Sequence, residues 1–111
     1  MNTVQELEQQ LEDSKKLIAT RQAALRLAQN SDFKKLILEG FCERECARFA
    51  RQAGDPAMNQ QSRDDALQMA LAAGHLLRFL EAQTQMGAHA ERTLQDLEAE
   101  LTEARAEEIE G

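Results

Sequence analysis

Tryptophan and tyrosine are absent from this chain, and four phenylalanines make up its whole aromatic content. One proline and five glycines leave few places to break a helix and too few turn signals for a β-rich fold. The two cysteines, Cys42 and Cys46, build no disulfide framework and suit a reducing interior. Long apolar runs are missing as well. The richest window, around Ala66–Leu80, is interrupted by Gln68, His75 and Arg78, so nothing reads as a membrane span. The polar amino terminus, MNTVQELEQQ, lacks the apolar stretch of a signal peptide, and synthesis in a cytoplasm is the expectation.

Catalytic signatures are missing too. The chain has no Gly-rich phosphate loop, no H-E-x-x-H and no nucleophile elbow. Its carboxylates fall on solvated helix faces, where nothing shifts them for acid–base work. The expectation is therefore a non-enzyme with no small-molecule substrate, no cofactor and no metal.

What is present is helical pattern. The 111 residues are 42% hydrophobic and 30% charged, enough for one water-soluble helical domain spanning residues 1–111. A capping box, Thr3 with Glu6, starts a first helix over about residues 3–29, from Asn2 or Thr3. Its heptad frame is Val4, Leu7, Leu11, Ser14, Ile18, Arg21, Leu25 and Ala28. Ser31 caps a second helix over 32–53, which carries three of the four phenylalanines and reads as the core of the fold. Gly40 in its middle is suited to close contact with a neighbouring backbone. Gly54-Asp55-Pro56 stops it.

Ser62 then caps a third helix over 63–108. Its first half is densely apolar, and Met69 and Met86 at helical spacing read as core or interface filler. Its second half keeps a narrow seam of Leu80, Gln83, Gly87, Ala90, Leu94, Leu97, Leu101 and Ala104, flanked by charge. The fold class is all-α: a helical hairpin or three-helix head with a long antiparallel coiled-coil stalk. Leu7, Leu11 and Ile18 pair with Leu94, Leu97 and Leu101, and Ala24, Ala28, Gly87 and Ala90 meet near the middle. The rival arrangement pairs either heptad stripe with another copy of the chain.

The net charge of −7 is unevenly placed. Residues 1–13 carry −4 and residues 91–111 carry −6, while residues 14–90 carry +3. Acidic ends repel phosphate and disfavour nucleic acid as a partner. Within the centre, Arg44, Arg48 and Arg51 form a basic stripe at helical spacing. Three readings are open: a solvated face paired with Glu39, Glu43, Glu45 and Asp55, a docking patch for an acidic protein partner, and a contact for DNA phosphate, which has no stacking aromatics beside it apart from Phe41 and Phe49. Cys42 and Cys46 share a helix face, where packing is the expectation over metal ligation with His75 or His89.

The order Ser31-Asp32-Phe33-Lys34-Lys35-Leu36-Ile37-Leu38-Glu39-Gly40, Asp55-Pro56-Ala57-Met58, Gly74-His75-Leu76-Leu77-Arg78-Phe79, Gln85-Met86-Gly87 and Ala90-Glu91 resembles small helical proteins encoded among the virion genes of tailed bacteriophages. The likeness runs over roughly residues 20–108 and rests on packing and capping residues. It implies a head- or neck-associated structural or assembly protein of the virion, made in the host cytoplasm. Its partners would be other virion proteins and copies of itself. The alternative is a phage-encoded regulator or inhibitor that binds a host protein.

Overall fold

The computed structural model describes residues 3–111 and is all-α. Helix α1 spans Val4–Gln29. A second helical run, α2, covers residues 31–53 as an α-helical turn (Ser31–Phe33), a wider π-helical stretch (Lys34–Glu45) and an α-helical end (Cys46–Ala53). Helix α3 runs unbroken over Gln60–Glu110. Among the described residues, no helix is long and apolar enough to cross a membrane.

The capping box forms as the sequence predicts. Glu6 N–H donates to Thr3 Oγ1 at 3.1 Å, and Thr3 N–H donates to the Glu6 carboxylate at 3.3 Å. Asn2, the other proposed start, lies outside the described residues. The two later caps fall one and three residues earlier than predicted. Asn30, rather than Ser31, takes the Phe33 N–H at 2.9 Å, and Asn59, rather than Ser62, takes the Ser62 N–H at 2.8 Å. In both places an asparagine upstream of the serine offers a carbonyl oxygen at N-cap spacing, and the helix starts where that bond forms.

Between α2 and α3 the chain turns on Asp55-Pro56-Ala57-Met58. Asp55 Oδ1 accepts from Ala57 N–H at 2.9 Å, and Asp55 O accepts from Met58 N–H at 3.2 Å. Proline fixes the second position of such a turn and aspartate braces the first. Gly54 closes α2 with φ −95°. Arg63 then ties the hairpin shut by donating from Nε to Ala53 O at 3.1 Å.

The chain divides into two compact units. The terminal unit comprises Met1–Leu25 and Ala82–Gly111 and is an antiparallel helix pair. Its antiparallel direction shows in the pairs Arg105–Glu8 at 3.1 Å and Arg21–Glu91 at 3.8 Å. This is the stalk that the two heptad frames predict. Leu7, Gly87, Ala90 and Leu101 are buried in it. The meeting of small residues comes out differently. Gly87 sits against the Arg21 stem and Leu17 O, one turn before Ala24. A long polar side chain laid flat over a glycine fills the space that two alanines would have left.

The central unit, Arg26–Glu81, is the head. Its buried hydrophobic residues are Ala66 and Ala73, both on α3. The expectation that the second helix supplies the core is therefore corrected: none of its residues is buried. The π-helical stretch, where Cys46 N–H reaches back five residues to Phe41 O, decides which residues share a face. Wider turns bring residues four to five apart onto one face. Phe33, Ile37, Phe41, Cys42 and Cys46 are accordingly half-buried, while Leu36, three from Phe33, is 70% exposed.

Gly40 belongs to the same geometry. A Cβ there would lie 3.0 Å from Lys35 O, five residues back on its own helix, so the glycine makes room for its own backbone and not for a neighbour's. Met69 and Met86, read as core or interface filler, are both exposed and so fill no core.

Candidate functional site

Arg44, Arg48 and Arg51 are all exposed on α2. With Glu43, Glu45 and Ala47 they line a shallow open hollow of about 500 Å³. Arg48 does not present a free charge. Its Nε and Nη2 both donate to Glu45 Oε2, the former at 3.1 Å, and its guanidinium lies 4.4 Å from the centre of the Phe49 ring. The hydrogen bond from Arg48 holds the Glu45 carboxyl below the usual carboxylate range. The stripe is thus three arginines and two glutamates, with Arg48 pinned flat along its own helix. That is a weaker attractor for phosphate than the sequence spacing suggests, and a shaped surface for a protein side chain.

The second face lies in the terminal unit. Leu7 and Leu101 are 2% and 4% exposed, and Leu11, Ile18, Leu94 and Leu97 are half-buried. An open groove of about 540 Å³ runs between the two helices. Ala90 lies at its floor, and Asp13, Asp96 and Glu100 supply three carboxylates along it. His89 lines the same groove and His75 is exposed in the central unit. Among the described residues, no three histidine, cysteine or acidic side chains gather closely enough to hold a metal ion.

Cys42 and Cys46 are both free and half-buried. Cys46 Sγ donates to Ala70 O on α3 at 3.5 Å, which spends that thiol on packing the hairpin. Burial, with Cys46 and Glu43 nearby, pushes the Cys42 thiol up from its ordinary range. A raised pKa leaves less thiolate at any given pH, so iodoacetamide should alkylate Cys42 more slowly in the folded chain than in urea. Peptide-level mass spectrometry across pH 7–10 should place the folded curve to the alkaline side. Superimposed curves would show that the fold does nothing to this thiol.

One face escaped the sequence reading. Asp64, Leu67, Leu71, Gly74 and Arg78 are all exposed on α3 at a strict three-four-three-four spacing. The spacing is legible in the sequence, but in so apolar a stretch it reads as core. No protein-family model, curated protein sequence or solved structure matches the chain.

Proposed function

We propose that the chain is a non-enzymatic structural or assembly protein of a tailed-phage particle, head- or neck-associated, working by multivalent protein–protein contacts. The observation that carries the contact role is the apolar surface of the central unit. Leu27, Leu36, Leu67, Met69, Leu71, Leu77 and Phe79 are each more than 40% exposed, against two buried alanines. Exposed apolar side chains in that number around so small a core favour a chain that buries surface against partners. The particle itself enters through the resemblance of residues 20–108 to virion-encoded helical proteins. On this reading the partners are other virion proteins and copies of the chain, docking through Arg44, Arg48 and Arg51.

The test is quantitative mass spectrometry of purified particles from the source. Many copies per particle support a structural role. Absence from particles, together with a one-to-one complex with a host protein in infected cells, supports the regulator reading instead. Reversing charge with Arg48→Glu should weaken incorporation into particles several-fold while circular dichroism stays unchanged. It sets two carboxylates side by side where Glu45 now accepts from a guanidinium. Incorporation at the wild-type level would remove the docking role from this stripe.

A further inference from the structure

The central unit offers one surface whose pattern specifies its own partner. Asp64, Leu67, Leu71, Gly74 and Arg78 form an exposed seam along α3, on a different face from the buried Ala66 and Ala73. Leu67 and Leu71 are 47% and 48% exposed. Nothing lies within 4 Å of where a Gly74 Cβ would be, so the backbone there is open to close approach. Spacing of three and four along a helix is the seam of a helix pair, and a lone helix gains nothing from apolar residues on its outer face.

The charges supply the occupant. Asp64 and Arg78 lie seven residues to either side of Leu71, with opposite sign. Among the described residues, Gln60 donates to Asp64 at 2.7 Å and Arg78 meets Glu81 at 3.3 Å, both along α3, with the Arg78 side chain 69% exposed. A two-fold axis at Leu71 that sets two such helices antiparallel brings Asp64 of each copy opposite Arg78 of the other. The same axis places Leu71 on Leu71 and sets Gly74 beside the turn that carries the other copy's Leu67. A contact of this kind is self-complementary by symmetry, as an isologous dimer requires. An unrelated partner gives no reason for opposite charges at equal distances from one leucine.

We propose that this α3 seam is a homodimer interface, with two copies of the chain packed antiparallel about Leu71. It stands apart from the arginine stripe on α2 and does not depend on the particle assignment. Leu71 sits on the axis and so counts twice, and one aspartate there buries two like charges against each other.

Sedimentation equilibrium of the full chain over micromolar to millimolar concentrations tests it. The wild-type chain should show a monomer–dimer equilibrium, and Leu71→Asp should raise its dissociation constant by about 100-fold or more. Asp64→Arg and Arg78→Asp should each raise it by about tenfold, because each sets like charges opposite one another in both symmetric pairs. The double variant Asp64→Arg/Arg78→Asp should return to within a few-fold of wild type. Ile109→Asp, at an exposed position off the seam, should leave it unchanged. Circular dichroism checks that helicity persists, and the charge swap decides the matter if Leu71→Asp loses it. A chain that stays monomeric to millimolar concentration overturns the proposal. So does a dimer insensitive to Leu71→Asp, or a double swap that fails to recover.

Discussion

Replacing Gly87 with alanine should lower the stability of the terminal unit by about 2 kcal/mol and its melting temperature by roughly 10 °C. Alanine in a helix ordinarily gains about 1 kcal/mol over glycine. Here the added methyl would lie 2.7 Å from Leu17 O and 3.0 Å from Arg21 Cδ, and closer still to Arg21 Cβ. A flexible side-chain end could swing away, but a backbone carbonyl and a Cβ move only with their helix. The two helices must therefore part where they are closest, which puts the cost at the upper end of the range for overpacking. The same substitution at Gly74 meets no atom within 4 Å, so it should keep the full helix-propensity gain in dilute solution. Thermal melts of the two variants should move in opposite directions. A Gly87→Ala protein as stable as the wild type would mean that the close approach of α1 and α3 is not what fixes this residue.

Leu101→Ala should cost about 2–3 kcal/mol, and Leu7→Ala a similar amount. These are the two buried leucines of the terminal unit. Their residue numbers add to 108, as do those of Arg21 and Gly87, so one antiparallel register sets both pairs opposite each other. A two-helix unit has no third layer to close over a lost side chain, so the gap opens to water and the helix ends fray. Hydrogen exchange of amides in residues 4–12 and 98–106 should speed up by about 30-fold or more in either variant. Because the pair shares one site, the double variant should lose less than the two single losses together. A loss below about 0.5 kcal/mol for Leu101→Ala would place the stabilising contacts of this pair elsewhere.

Two long heptad frames make a stalk readable in the sequence, but not whether the stripes cover each other or pair with another copy; Arg105–Glu8 and Arg21–Glu91 place the pairing within the chain. Thr3 and Glu6 were readable because a capping box is a local device, complete within four residues. The middle of the chain was not readable in the same way. Periodicity arguments assume 3.6 residues per turn, and a run of five-residue rings from Lys34 to Glu45 breaks the assumption without any proline or glycine pair to announce it. At 3.6 residues per turn Leu36 shares a face with Phe33, yet it stands exposed.

The arginine stripe was legible as residues but not as charge. Which of Glu39, Glu43, Glu45 and Asp55 would neutralise Arg48 is decided by a three-residue reach along the helix, and Glu45 has it. The outward seam of α3 was hidden by its own composition. In a stretch with apolar residues on all sides, only the fold shows that Ala66 and Ala73 are the ones covered.

The backbone itself carries a further consequence. No described residue, glycine included, has a positive φ. Handedness therefore demands an achiral residue nowhere along the described chain. The interior glycines that resist replacement, Gly40 and Gly87, are held by the atoms facing them and not by their own torsions. A protein so built tolerates substitution at most positions on steric grounds. Drift in its sequence is limited by the rhythm of its side chains, and two versions of this fold could share that rhythm while sharing few letters.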